Sequence, residues 1–459
     1  MQQEKIAQLG QALRGQLIGR EDRDYDTARQ LYNAAIDKRP LLIARCLDAA
    51  DVIAAVNFGR DNGLPIAVRG GGHSGPGLGS VDDGLVIDTS MLRGVRVDPR
   101  SSTVRVGAGC VTGDVDHATH AFGLAVPFGI ISTTGVAGLT LSGGHGYLSR
   151  QYGLASDNLL EADVVLADGS FVTASETDHP DLLWGLCGGG GNFGVVTSFR
   201  FRAHPAKMIY GGPIAWELSD AAGIMRWYRE FQQSAPVEFC VFLGLQAIPP
   251  SAPFPEEHWN KKICVLMLVH NGAPDAAERD AQALREALPK PIIDWAGPMP
   301  YTTAQSLFDG LYPAGLQWYW KGDFVKTLSD AAISAHLEQA AKRTSTLSAM
   351  HLYPVDGAVH RPAKDASAWN TRDATWSMVI VAADPDPARL ADLRQWGRAY
   401  WEAVHPYDMA GAYPNFMMDD EGQARLMASY GDNYPRLVAL KQKFDPKNLF
   451  HVNHNIRPV

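Results

Sequence analysis

Three glycine-rich loops, each beside a short apolar run, constrain this chain more than any other feature. The first is Arg69-Gly70-Gly71-Gly72-His73-Ser74-Gly75, the second Thr133 to Gly146, the third Cys187 to Gly194. Glycine lets backbone turn tightly and approach a ligand closely, and free N–H groups in such loops donate to flat or anionic groups. Three of them in succession are hard to explain by packing alone, so one extended ligand touched repeatedly by main chain is expected. In the first loop a histidine stands where the backbone comes nearest. A plain glycine loop cradles phosphates; this one adds a nucleophilic imidazole, so His73 reads as the attachment point of a cofactor, the alternative being a turn histidine bonded to its own loop.

The flanking pattern is that of an α/β unit. Helices are expected over Glu4–Leu17, Thr27–Ile36 and Ala49–Asn62, the last ended by Gly63. Strands are expected at Leu41–Cys46, Pro65–Val68, Gly84–Asp88, Val95–Val97, Thr103–Val106, Ala162–Ala167 and Val195–Phe201, and short helices at Gly113–Phe122 and Pro180–Trp184. Beyond His204–Tyr210 glycine thins out. Val241–Leu245, Cys264–Val269, Trp318–Lys321, Met350–Tyr353 and Ser377–Ala382 read as strands, and Asp275–Leu288 and Asp330–Lys342 as helices of a second, sheet-based domain. A last helix is expected at Tyr434–Phe444, before the tail Phe450–Pro458.

At 459 residues, two domains are expected. A hydrophobic share of 46% with 20% charged residues is that of a soluble globular protein, and a net charge of -9 disfavours nucleic acid or an anionic membrane as partner. Met1–Arg20 lacks the layout of a signal peptide, and no apolar run approaches the ~18 residues of a membrane span, so a cytoplasmic location is expected. The five cysteines are widely spaced with no C-x-x-C, which argues against disulfides or a zinc site, and no metal is expected.

Taken together, Arg69-Gly-Gly-Gly-His73-Ser74, Gly138 with Gly144-His145-Gly146, Arg150, Tyr152-Gly153 and Asp157-Asn158, Asp181-Leu-Leu-Trp184, Gly188–Thr197, and the tail Asp445-Pro446, Asn448-Leu449-Phe450, Asn453, Asn455-Ile456 and Pro458 resemble the vanillyl-alcohol oxidase flavoproteins, specifically the berberine-bridge-enzyme-like branch. The resemblance spans nearly the whole chain. It implies an α+β protein: a PCMH-type FAD-binding domain over 1–205 (core about 37–205), an inserted substrate domain over 206–410 built on an antiparallel sheet backed by helices, and a segment 411–459 returning beside the flavin.

It further implies a covalent bond from His73 to the flavin 8α-methyl. Relatives with a second, cysteinyl link carry it where this chain has Ile131 beside Ser132, so one bond is expected. Gly70, Gly71, Gly72, Ser74 and Gly75 are expected along the FAD pyrophosphate, Thr134, Gly135, Gly138, Gly143, Gly144 and Gly146 along the isoalloxazine and ribityl chain, Gly191 and Val196 on the adenosine side, and Arg69, Asn158, Asn453 and Asn455 as further cofactor contacts. Thr134 falls where relatives control O2 access, the plain alternative being a buried threonine.

Flavin oxidation of an alcohol needs a base. His351 and Tyr353 share a strand face, because side chains alternate with a period of two. If that sheet roofs the flavin both point at it, so His351 is either the base or a core histidine. Tyr413-Pro414-Asn415-Phe416 corresponds to a Tyr-x-Asn-Tyr pattern of relatives, with Phe416 lacking the phenol and Tyr413 left as a further catalytic candidate. Trp318, Trp320 and Lys321 are expected to line the pocket. The expected activity is an FAD-linked oxidase for a small organic alcohol, amine or natural-product intermediate, with O2 as acceptor and H2O2 as product, in a monomer or homodimer. A dehydrogenase of the same fold with a quinone or protein acceptor, or a non-catalytic flavin protein, are the alternatives.

Overall fold

A computed structural model describes residues 3–459; Met1 and Gln2, where the expected amphipathic N-terminal segment begins, lie outside the described residues. The chain is α+β, with three principal sheets. Gln16–Gly19, Leu42–Arg45, Leu85–Asp88 and Ile66–Arg69 form a four-stranded sheet in that spatial order, the first pair antiparallel and the others parallel. Helix Ala49–Asp61 covers it, burying Val52, Ala55 and Val56 against Leu42, Ala44, Leu85 and Ile87. A five-stranded antiparallel sheet follows, in the order Val95–Asp98, Thr103–Gly107, Val195–Arg202, Leu159–Val165, Phe171–Ser175.

The largest sheet has eight strands, all antiparallel, and lies between Met208 and Asp384. Its two faces have different fates. Leu243, Leu245, Met350, Leu352, Met378 and Ile380 point to helices Ala221–Ser234, Asp330–Ala341 and Leu390–Val404, which add Ile224, Tyr228, Ile333, Trp396 and Tyr400 to one apolar core. Each such buried aliphatic side chain contributes about 1.5–3 kcal/mol. The intervening residues, His351, Tyr353, Val379 and Val381, face the opposite way, toward the glycine-rich loops.

Several expected elements stop earlier than sequence spacing implies. The first helix is Gln3–Ala12 rather than Glu4–Leu17. Buried Asp51 accepts hydrogen bonds from the backbone N–H of Arg14, Gly15 and Leu47 at 2.7, 2.9 and 2.8 Å, which takes the chain out of the helix and into strand Gln16–Gly19. Of the expected Thr27–Ile36 helix only Thr27 and Ala28 are helical, at the end of a short helix Tyr25–Ala28. There the fully buried Asn33 instead donates to the carbonyls of Gly75 (2.7 Å) and Trp318 (3.1 Å) and accepts from the N–H of Trp318 (3.0 Å), tying the first glycine loop to the large sheet.

The C-terminal tail is pinned by a buried ion pair. Lys441 Nζ, on helix Tyr434–Phe444, donates to Asp445 (2.7 Å) and to the carbonyls of Asn192 (2.9 Å) and Phe450 (2.8 Å). One ammonium thus joins helix, tail and third glycine loop. Removing one partner of a buried pair leaves the other charge uncompensated. Lys441→Met is therefore expected to destabilise the protein by about 3–5 kcal/mol, read as a shift in the denaturant midpoint.

Candidate active site

The glycine loops, the tail and the polar face of the large sheet enclose one cavity of about 380 Å³. Strand Ile66–Arg69 delivers the first loop into it, and Gly72 takes a positive φ of 71° that a side chain would strain. At the centre two loops cross backbone to backbone. A Cβ on Gly71 would lie 2.5 Å from the nitrogen of Gly135, and one on Gly135 would lie 2.4 Å from the nitrogen of Gly71. Only glycine fits at either position.

His73 is half-buried on the cavity wall. Its Nε2 is hydrogen-bonded to the Thr133 hydroxyl at 3.2 Å, and its ring stacks on Tyr32 with centroids 3.9 Å apart. Burial pushes the imidazole down to about 4, so it is neutral and nucleophilic at neutral pH. Arg69 uses one guanidinium nitrogen for Asp88 (2.8 Å), while its buried Nη1 has no partner. Burial works against the Asp88 carboxylate, yet the Arg69 charge and the Ser90 N–H hold it below its usual range. Gly138 and Gly191 look onto open space, where a Cβ would meet no atom within 4 Å. The tail closes this end: Asn453 Nδ2 donates to the carbonyl of Gly191 at 3.1 Å and leaves its own Oδ1 unpartnered.

At the other end, the Tyr353 hydroxyl lies 2.7 Å from His351 Nδ1, and His351 Nε2 lies 3.4 Å from Gln246 Oε1. The amide oxygen only accepts, so Nε2 carries the proton and Nδ1 accepts from the phenol. Burial, then the charge of Arg343, push His351 down to about 4. Tyr353 is raised well above its usual value by burial. Tyr413 receives a hydrogen bond from Asn415 (2.8 Å), and Asn415 also donates to the carbonyl of Gly138 (3.1 Å). Between them sits His145, its ring 5.4 Å from that of Tyr353 and 4.7 Å from that of Tyr413. Both His145 nitrogens are buried without a partner, and burial pushes it down to about 3.

Of the expected cofactor residues, Arg69, Gly70, Gly71, Gly72, His73, Ser74, Thr134, Gly135, Gly138, Gly191, Val196 and Asn453 line this cavity, as do His351, Tyr353 and Tyr413. Six do not. A Cβ at Gly75, Gly143 or Gly146 would strike the Trp320 ring, the Trp369 ring or the Phe128 carbonyl at 2.4, 2.3 and 1.9 Å, and one at Gly144 would strike Leu139 at 2.4 Å, so these glycines serve close packing. Asn158 spends its amide on the carbonyls of Tyr152 and Leu154 and its oxygen on His204. Asn455 is off the wall, although its buried Oδ1 has no partner. Lys321 also departs from expectation: one residue on from Trp320, it faces away and pairs with Asp420 and Glu421 at 3.0 and 2.8 Å. His145, Tyr32 and Gln246 were not singled out from the sequence. His145 lay within a motif read for its glycines, and Tyr32 within an expected helix.

The lining is that of a flavin site. An orphan guanidinium nitrogen and open glycine backbone suit a pyrophosphate, a neutral histidine stands on the loop between, and aromatic and aliphatic side chains (Trp318, Trp320, Val379, Val381, Phe416) wall the far end. The fold and site thus define the class of FAD-dependent oxidoreductases. Residues 40–175 match the FAD binding domain family, and residues 412–457 the family described as berberine and berberine like. An FAD-linked oxidoreductase of Dictyostelium discoideum is 31% identical over 431 residues, covering 93% of this chain and 91% of its own. The (R)-6-hydroxynicotine oxidase of Paenarthrobacter nicotinovorans is 31% identical over 468 residues, covering 97% of each. The crystal structure of 6-hydroxy-D-nicotine oxidase from Arthrobacter nicotinovorans superposes with a TM-score of 0.85 at 27% identity, covering 97% of this chain and 98% of that one. The chain belongs to the berberine-bridge-enzyme-like family of FAD-linked oxidoreductases.

Because the loop crossing admits no side chain, Gly71→Ala is expected to displace the His73 loop. The purified variant should retain less than about a tenth of the wild-type flavin, measured as the ratio of flavin to protein absorbance.

Proposed function

We propose that the protein is an oxidase that holds FAD through a single covalent bond to His73 and oxidises a small organic alcohol or amine, with O2 as acceptor. The observation that carries this reading is that one continuous cavity joins the neutral His73 imidazole to the Tyr353–His351 pair. When bound, FAD supplies the hydride acceptor and hands the electrons on to O2, which leaves as H2O2.

The residues of this chain do the rest. His73 holds the ring system in register from one edge, with Thr133 and Tyr32 fixing its imidazole. The pyrophosphate falls to Arg69 Nη1 and the backbone of the first loop, and the adenosine side to Gly191, Val196 and Asn453. None of the five cysteines lines the cavity, and Ile131 stands on its wall, which supports one covalent bond rather than two. At the reacting end the Tyr353 oxygen takes the hydroxyl or ammonium proton of the substrate while its own proton passes to His351 Nδ1. Gln246 fixes the tautomer that makes this transfer feasible. Trp318, Trp320, Val379 and Val381 exclude water and favour a largely apolar substrate. Thr134, small and on the wall, leaves room for O2.

Acid-denatured protein run on a gel is expected to show a fluorescent flavin band under ultraviolet light that vanishes in His73→Ala; a wild type without the band ends the covalent reading. Reduced wild-type protein mixed with air-saturated buffer is expected to regain its flavin absorbance within seconds, and recovery over many minutes overturns the oxidase reading in favour of another acceptor.

The relay adds a second expectation. Tyr353→Phe should slow flavin reduction by substrate by about 10²–10⁴-fold, measured by anaerobic stopped flow. His351 titrates near 4, so its accepting, neutral form predominates above that pH. The wild-type reduction rate, with an alcohol substrate, is therefore expected to be flat from about pH 6 to 8 and to fall only as the pH approaches 4.

A further inference from the structure

Buried arginines in this protein are paired with carboxylates. Arg69 meets Asp88, Arg150 meets Asp356, Arg372 meets Asp157 and Arg425 meets Asp323. Arg343 breaks the pattern. It lies just after helix Asp330–Ala341, its Nε, Nη1 and Nη2 are all buried, and none of the three has a hydrogen-bond partner or an ion pair among the described residues. Its surroundings are phenols rather than acids: Tyr400 and Tyr312 are the groups its charge feels, while burial pushes the guanidinium down to about 10, which leaves it charged at neutral pH. An uncompensated buried cation is costly, and a structure that retains one is short of an anion.

Its position indicates where that anion comes from. Tyr312 lines the cavity, its ring 6.2 Å from His351 and 5.9 Å from Trp318, and its backbone carbonyl accepts from the Tyr32 hydroxyl at 2.5 Å. The Tyr312 phenol makes no hydrogen bond within the protein among the described residues, and the Arg343 charge favours its ionised form and the neutral form of His351. A free O–H on the wall, backed by an unpaired guanidinium, is a donor set for an anionic oxygen. Among the described residues lining that end of the cavity, His351, Tyr353 and Asn415 are uncharged at neutral pH and the remainder are aromatic or aliphatic.

We propose that Tyr312 and Arg343 form an anion-binding end of the substrate cavity, so that the substrate is a carboxylate-bearing molecule whose carboxylate is held there while its oxidisable carbon faces the Tyr353–His351 pair. This rests on the cavity being the substrate site, but not on the covalent bond or on O2. The Tyr312 hydroxyl donates to the carboxylate, and Arg343 behind it supplies the charge that distinguishes an acid from its neutral amide.

The test is isothermal titration of the wild-type holoenzyme at neutral pH and low salt with benzoate and with benzamide, which share shape but differ in charge. Benzoate is expected to bind about tenfold tighter or more, with the preference abolished in Arg343→Met and reduced in Tyr312→Phe. Equal affinities, binding of neither probe at millimolar concentration, or a benzoate preference that survives in both variants overturns the proposal. The wild-type comparison stands alone should Arg343→Met fail to fold. Binding heat is read without turnover, so failure of the oxidase reading leaves this measurement interpretable.

Discussion

The active-site cavity depends on a contact between two stretches of bare backbone. Gly71 and Gly135 pass so close that a single methyl on either would overlap the nitrogen of the other. That approach lets the His73 loop and the Thr134 loop form adjoining parts of one wall, and it brings Thr133 within hydrogen-bond reach of His73. Around the crossing, satisfied polar side chains hold what glycine alone leaves loose. Asn33 ties the first loop to the large sheet, Gln305 donates to the carbonyl of Gly129 (2.9 Å), Asp309 accepts from the N–H of Ser132 (2.9 Å), and Lys441 fastens the tail to the third loop. Flexible residues make the approach feasible, and buried hydrogen bonds supply the rigidity that a positioned cofactor needs.

The chemistry at the other end follows from the alternation of a strand. On Ala349–Pro354, Met350 and Leu352 enter the apolar core beneath the sheet, so His351 and Tyr353 must emerge together on the other face. Next to them Gln246 on Phe239–Ala247 and Val379 on Trp376–Asp384 share that face, so two neighbouring strands deliver the hydrogen-bond partner of His351 and the apolar wall. The same rule sends Lys321 away from the site while Trp318 and Trp320 point into it. Burial then keeps both His351 and His145 neutral at neutral pH.

Much of the fold was legible from local pattern. Helix Tyr434–Phe444 and the strands at 241–245, 264–269, 350–353 and 377–382 appear where periodicity placed them, because each buries one regular face. Helix Leu390–Val404 was equally legible, with Leu393, Trp396, Tyr400 and Val404 on one stripe, although it was not singled out. Strand Met208–Glu217 was harder to read, since Gly211-Gly212-Pro213 in its middle imitates a turn and Gly212 takes a φ of 130° within the ladder. The N-terminal elements departed from expectation for a different reason: Asp51 and Asn33 capture backbone groups from segments distant in sequence, and no window of local sequence contains both partners.

By itself the sequence determined the class of protein, FAD as its cofactor and the positions of the glycine loops, because these depend on residue types that backbone conformation demands wherever they occur. Tertiary structure decided which glycines face the cavity and which permit packing: Gly138 looks onto open space, whereas Gly143, with a positive φ, lies against the Trp369 ring. It also decided that His145 stands between Tyr353 and Tyr413, that Tyr32 stacks on His73, and that Arg343 lacks the carboxylate given to the other buried arginines. Such facts are relations between residues far apart in the chain, set by how sheets and loops pack, and only the folded arrangement brings the partners within reach.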